Sequence, residues 1–348
     1  MSEIDEYDYE VPRELIAQKP LHQRSDARLL VVRRDGASLE HSHVRNLPEL
    51  LDPGDCLVLN DTRVIPARLV GHRTNTGGRW TGLYLETDEA GNWRLISKTR
   101  GKLAPGETIT LEDRLGQDFC RLILVAKLDD GDWAARPDAD EPTLSLLERI
   151  GRVPLPPYIR GGEMTDADWQ NYQTVFAEKL GAVAAPTAGL HLTNDLLKCL
   201  EREGIEVCRV TLHVGLGTFR PVSTERLGEH RMHSEWGCID AQTVDRLARR
   251  RAAGGRIVAV GTTVVRTLET AAADGHLSPW EGETDLFIRP PYRFKAIDAL
   301  MTNFHWPKST LLVLVRTLGG DELMKRAYEE AIREDYRLFS YGDAMLVL

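Results

Sequence analysis

Apolar residues fall along this chain in two rhythms, and the change from one to the other divides it. Between residues 66 and 152, apolar and polar positions alternate in short runs at 80–86, 93–97, 107–111 and 119–126, separated by Gly, Asp and Asn. A period of two with regular turn punctuation predicts the strands of a small β-barrel or sandwich. Beyond about residue 190 the spacing changes to three and four. Leu196, Leu197 and Leu200 share one helix face, with Gly204 as its stop. Val244, Leu247 and Ala248 share another, started by Asp240 as N-cap and closed by Gly254 and Gly255. Apolar runs at 29–33, 56–59, 205–214, 256–260 and 344–348 read as strands. A helix from Thr262 or Thr263 to about residue 273, and another over 322–334, complete an alternation of strand and helix. The expected class is α/β: a large α/β domain with a mixed, largely parallel sheet, formed by 1–65 and 153–348 and interrupted by a small inserted β-barrel domain at 66–152. The proline-rich GRVPLPPYIR, 151–160, reads as a stiff connector.

Length and composition agree with two domains of a soluble enzyme: 348 residues, 42% hydrophobic and 28% charged. No apolar run reaches the roughly 18 residues of a membrane span. The first ten residues hold five acids and no base, the reverse of a signal peptide's start, and the five cysteines form no CxxC pair. A cytoplasmic protein with reduced thiols and no membrane association is expected. The net charge of −9 argues globally against a nucleic-acid partner, yet RLARRRAAGGR, 246–256, carries five arginines and no acid. That helix is either a basic face for RNA phosphates, through Arg249 and Arg250, or the solvated side of an amphipathic helix.

Candidate chemistry gathers in loops that follow predicted strands, where ligands of open α/β sheets collect. LNDTRVIPARL, 59–69, offers Asp61 for a cation and Arg63 for an anion, or else an Asx-turn with a surface arginine. In AAPTAGLHLT, 184–193, Gly189 permits close backbone approach beside His191, whose imidazole titrates near neutrality. TLHVGLGTFRP, 211–221, sets His213 before Gly215 and Gly217; it lacks the third glycine of a dinucleotide fingerprint, and His213 reads equally as a hydrogen-bonded core residue. GTTVVRTLE, 261–269, places Thr262 and Thr263 at a helix N-terminus, a seat for a carboxylate or phosphate. In EHRMHSEW, 229–236, His230, His233 and Glu235 match no zinc-ligand spacing, so no metal is expected. His233 and Glu235 on one side of an extended segment suit acid–base work instead. TNFHWPKST, 302–310, adds His305 and Lys308 ahead of a helix, with Pro307 in its first turn or Ser309 as its cap. No Ser–His–Asp order, catalytic cysteine pattern or Walker loop occurs.

Together with YDYEVPRELIAQKP, PLPPYIR, YQTVFAEKLGAVAAPTAGLHLT, TNFHWPKSTLL and YRLFSYGDAML, these segments resemble the S-adenosylmethionine:tRNA ribosyltransferase-isomerase family over 7–348. The resemblance implies an enzyme of queuosine biosynthesis. Its reaction would transfer and isomerise the ribosyl part of S-adenosylmethionine onto 7-aminomethyl-7-deazaguanine at the tRNA wobble position, releasing adenine and methionine and leaving epoxyqueuosine. S-adenosylmethionine would be a consumed substrate, with no bound cofactor; the anticodon loop of tRNA would be the partner, with no obligate protein partner. That chemistry assigns His191 or His213 as base and His233, supported by Glu235, as proton donor. Asp61 would hold the cationic aminomethyl group, and Thr262, Thr263 or Arg231 the methionine carboxylate. Arg63, Gly189, Gly215 and Gly217 would complete the substrate contacts. Phe219, Trp236 or Tyr158 would stack on a splayed base, and Arg249, Arg250 and Lys308 would meet RNA phosphates. The rival readings are a metal-dependent hydrolase using His230 and His233, and a non-catalytic tRNA-binding module.

Overall fold

The computed structural model describes residues 2–129, 131–215, 222 and 224–348. The chain forms two units, one of Met1–Arg63, Tyr158–Gly161 and Gln170–Leu348, the other of Val64–Pro157 and Gly162–Trp169.

In the first unit, among the described residues, nine strands form one sheet. Their order is Trp280–Thr284, Glu235–Ile239, Glu206–Leu212, Cys56–Asn60, Ile257–Val260, Ala299–Asn303, Ala344–Val347, Arg28–Arg33 and Ser38–His43. The four strands from Glu206–Leu212 to Ala299–Asn303 run parallel. Pairing turns antiparallel at both flanks, at Glu235–Ile239 on one side and Ala344–Val347 on the other. Cys56–Asn60, Ile257–Val260 and Ala299–Asn303 are buried at every position because both faces of the sheet are covered there, whereas Glu206–Leu212 exposes Arg209. Successive residues serve opposite cores: Cys56, Val58, Ile257 and Ala259 pack with Val264, Val265, Leu268, Leu312 and Ala327. Leu57, Leu59, Val258 and Val260 pack with Leu47, Leu192, Leu196 and Leu200. Alternation is hidden in such strands, so they read as continuous runs.

The helix starts follow local chemistry. Thr193 Oγ1 accepts from Leu196 N at 3.2 Å and starts Asn194–Arg202; Asp240 Oδ1 accepts from Thr243 N at 2.7 Å and starts Ala241–Ala252. One expected helix start differs, and one of two alternatives is settled. Neither Thr262 nor Thr263 caps Thr262–Ala271: Gly261 does, at φ 95°, without a side-chain bond. The chain leaves a buried strand and enters the helix in one residue, and that left-handed turn suits glycine. The helix Thr310–Gly319 is capped by Ser309, whose Oγ accepts from Leu312 N at 3.2 Å, which leaves Pro307 ahead of the first turn. Among the described residues no helix is long and apolar enough to cross a membrane.

The second unit is built on a closed, six-stranded antiparallel barrel. Its strands are Arg68–Arg73, Arg79–Thr87, Trp93–Thr99, Thr108–Glu112, Asp118–Lys127 and Trp133–Pro137. Trp80, Trp93, Leu95, Ile109, Leu111, Leu122 and Leu124 are buried, each flanked in sequence by more exposed neighbours. The sequence pattern does not single out Arg68–Arg73 or Trp133–Pro137. Arg68–Arg73 is interrupted by Gly71, and Trp133–Pro137, WAARP, does not alternate apolar with polar positions.

Leu57 is fully buried in the middle of the parallel centre. Leu57→Ala is therefore expected to cost about 3 kcal/mol, read as a lower urea midpoint at unchanged slope.

Candidate active site

The parallel centre ends at Asn60, Leu212, Val260 and Asn303, and each strand then enters one of the motif loops. The first two ends are tied together by Asn60. Its Nδ2 donates to Leu212 O at 2.9 Å, and its Oδ1 accepts from Leu212 N and Thr62 N, both at 3.1 Å. This bracing fixes the next residues. Asp61 is buried and accepts from Thr211 Oγ1 at 2.7 Å, and burial raises its carboxyl pKa. Thr62 Oγ1 lies 2.8 Å from His213 Nδ1, and the imidazole stacks on Trp236 with centroids 5.0 Å apart and planes at 23°. Burial, then the Lys179 charge, lowers the pKa of His213. Gly181 packs on the same ring: a Cβ there would lie 2.6 Å from His213 Nε2, so only glycine leaves room for this imidazole.

The adjoining loop is held by charge. Gly215 N donates to Glu235 Oε1 at 2.7 Å, and Arg266 Nη1 donates to Glu235 Oε2. Arg266 also donates to Thr284 O at 3.0 Å and Leu286 O at 3.1 Å. Glu235 and Arg266 are 4% and 2% exposed, so the pair is withdrawn from water and compensated by these hydrogen bonds. One turn on, buried Glu269 accepts from Tyr292 Oη, Lys295 N and Ala296 N.

Val214 and Gly261–Thr263 border a pocket that is lined on its other sides by Asn303–Trp306, Tyr158, Phe339 and Ser340 among others. The N-terminus of Thr262–Ala271 forms part of its wall, and Thr263 Oγ1 is buried with no hydrogen-bond partner among the described residues. Opposite chemistry comes from aromatics: Trp306 stacks on Phe339 at 4.1 Å and 18°, and Tyr158 is tilted against both, at 5.5 and 5.3 Å. Tyr158 Oη and Ser340 Oγ are 2.7 Å apart. Phe339 has φ 68°, an uncommon backbone for a non-glycine residue.

His191 lies in the layer behind this wall. It is buried, and its Nε2 is 3.1 Å from Asn303 Nδ2. Burial, reinforced by the charges of Arg337 and Arg24, lowers its pKa to about 4. Gly189 is buried against Phe176 and Thr174; a Cβ would come within 2.8 Å of the Phe176 ring, so packing accounts for this glycine. The structure thus gathers Asp61, His213, Gly215, Glu235, Thr262 and Thr263 at the strand ends.

Other sequence candidates have different surroundings. Arg63, Arg231 and His233 are exposed, and His230 packs edge-on against Phe287 at 5.4 Å. Among the described residues no three His, Cys, Asp or Glu side chains are placed to hold a metal ion. On the arginine-rich helix, Arg246 and Arg250 both pair with Glu206 and Arg251 pairs with Asp298, while Arg249 is exposed. Lys308 Nζ is 2.9 Å from Asp5 and 3.0 Å from Asp8. Gly217 and Phe219 lie outside the described residues. Arg266, Asn303, Trp306 and Phe339 were not singled out from sequence. A visible signal existed for two of them: an arginine inside the apolar TTVVRTLE, and an asparagine closing the apolar strand ALMTN.

Arg266→Met is expected to destabilise the protein by about 3–5 kcal/mol, because Glu235 stays buried without its charged partner. Adding Glu235→Leu should recover much of that loss, which chemical denaturation of the single and double variants reads directly. His191 gives a pH dependence of known sign. Its folded pKa of about 4 lies below the ordinary 6.5, so the unfolded chain binds a proton first as pH falls. Its contribution, up to about 3 kcal/mol, is therefore present above pH 6.5 and lost as pH drops toward 4. Stability curves of wild type and His191→Gln should converge over that interval.

The queuosine biosynthesis protein family model matches residues 4–347. The S-adenosylmethionine:tRNA ribosyltransferase-isomerase of Symbiobacterium thermophilum is 49% identical over 346 residues, covering 99% of each chain. The protein of the same name from Geobacter sulfurreducens is 49% identical over 348 residues, again with 99% of each chain covered. A crystal structure of S-adenosylmethionine tRNA ribosyltransferase from Thermotoga maritima aligns with a TM-score of 0.56 at 35% identity, over 99% of this chain and 100% of that one. Full-length agreement at this identity, on the fold described above, leaves one conclusion: the chain belongs to the queuosine biosynthesis protein family, as a transferase-isomerase of the S-adenosylmethionine:tRNA ribosyltransferase-isomerase type.

Proposed function

We propose that the pocket at the parallel strand ends takes S-adenosylmethionine and that His213 is the base which starts ribosyl transfer to 7-aminomethyl-7-deazaguanine at the tRNA wobble position. The sulfonium acidifies the adjoining ribose C5′ protons, so a base is needed and an enzyme nucleophile is not. The tRNA amine attacks the ribosyl carbon skeleton, adenine departs with a proton, the C–S bond breaks to release methionine, and epoxyqueuosine remains. One observation carries this reading: an imidazole with a lowered pKa, fixed by Thr62, Trp236 and Gly181, directly precedes Val214, which lines the pocket. His191 is the other candidate base, but its Nε2 is engaged by Asn303 and its low pKa makes it a weak one.

The remaining roles follow the local chemistry. Buried Asp61 suits the cationic aminomethyl group, and its raised pKa falls once a cation arrives. The helix N-terminus at Thr262 and Thr263 suits the methionine carboxylate better than exposed Arg231 does. Glu235 positions the 213–215 loop through Gly215 N, and His233 remains the candidate proton donor to adenine. Exposed Arg249, with Arg250 and Lys308 released from their carboxylates, would meet tRNA phosphates. Catalysis is assigned to 1–65 with 153–348 and the inserted barrel to 66–152, in a cytoplasmic enzyme that consumes S-adenosylmethionine and needs no bound cofactor.

Purified protein is incubated with S-adenosylmethionine and tRNA bearing the aminomethyl base. RNA-dependent adenine release, with an epoxyqueuosine nucleoside mass, is the expected result; no turnover by folded protein would overturn the reading. His213→Ala should lower kcat by roughly a hundredfold to ten-thousandfold at near-normal stability. Because burial depresses the His213 pKa, activity in kcat/KM should fall only below pH 6.5, where the imidazole becomes charged.

A further inference from the structure

The orientation of the Asn303 side chain is decided by its neighbours. Its Nδ2 is 3.1 Å from Phe339 O and 3.3 Å from Asp343 O, two carbonyls that only accept, so the amide nitrogen must face them. His191 Nε2, 3.1 Å from the same nitrogen, is then also an acceptor, and the proton of the neutral ring sits on Nδ1. The amide oxygen is left on the opposite side. Asn303 is 2% exposed and borders the pocket, and its Oδ1 has no hydrogen-bond partner among the described residues. A buried acceptor in that condition costs free energy until a donor reaches it. Beside it stands the wall of Trp306, Phe339 and Tyr158, of which Trp306 and Tyr158 keep partial exposure.

We infer that this end of the pocket is a purine subsite, in which the ring packs on Trp306 and its 6-amino group donates to Asn303 Oδ1. The inference rests on the reading that the pocket takes S-adenosylmethionine. Adenine is the occupant rather than the wobble base because the same pocket includes the N-terminus of Thr262–Ala271 and the unpartnered Thr263 hydroxyl. Aromatic wall with acceptor at one place and anion seat at another match a molecule carrying both a purine and a carboxylate. Asn303 is thus a specificity-determining residue, rejecting purines that lack a donor at position 6 because its oxygen would stay unpaired.

The test is equilibrium binding by calorimetry to the full chain, in the presence of tRNA with guanine at the wobble position, which has no aminomethyl group to react. The two probes are S-adenosylmethionine and its analogue with hydrogen in place of the 6-amino group. Wild type should bind the analogue roughly tenfold to hundredfold more weakly, and Asn303→Ala should bring the two dissociation constants to within about twofold. Equal binding of both probes by wild type overturns the inference using the unaltered protein, so misfolding of the variant cannot protect it. A folded Asn303→Ala that keeps the discrimination, or loses tRNA affinity instead, also overturns it, the latter by pointing to the wobble base. Failure of wild type to bind S-adenosylmethionine at all would overturn the underlying reading, and the subsite with it.

Discussion

Two-sided burial of the parallel centre constrains everything else in the larger unit. Each residue of Cys56–Asn60 is shielded, with Cys56 and Val58 in one core and Leu57 and Leu59 in the other. Polar side chains on those strands would lack water and partners, so chemistry is driven to where the strands stop. Asn60 shows the limit of what the sheet tolerates: it is 1% exposed, and both ends of its amide are used by neighbouring backbone. The strand ends that result are rigid, and the loops inherit their positions from them.

That rigidity is extended by a buried charge pair. Glu235 begins one strand and Arg266 lies in a helix, and together they gather Gly215, Thr284 and Leu286 around two desolvated groups. Such a pair adds little net stability compared with apolar packing, but its geometry is specific. Here it sets the backbone just past His213. A second polar network, His191–Asn303–Phe339–Asp343, does the same behind the pocket, and it spends a histidine as a neutral acceptor. The two histidines of the glycine-lined loops therefore do different work despite similar local sequence: one is enclosed behind the wall, and the other remains half-buried.

Much of the fold was legible because its signals are local. Asp240 and Thr193 cap as their side chains dictate, and the barrel runs alternate as half-buried strands must. Illegible features were those in which tertiary context outweighed a local preference. Thr262 and Thr263 look like caps, yet the sharp exit from the preceding strand gives that place to Gly261. Gly189 looks like a ligand loop, but its missing Cβ makes room for Phe176. The arginines of 246–251 look like one basic face until Glu206 and Asp298, distant in sequence, are seen to pair with three of them.

By itself the sequence determined the α/β and barrel rhythms, the ordered motifs that carry the family, and the loops from which the site is drawn. Periodicity, caps and turn residues act within a few positions, so they survive reading in one dimension. Only the tertiary structure decided which of those loops meet, that His213 stands by Thr62 and Trp236, that Glu235 belongs to Arg266, and that Asn303, Trp306 and Phe339 form a wall. These pairings join residues up to 151 positions apart, as in Thr62 and His213. Sheet order and burial set such distances, and both are properties of the whole packed chain.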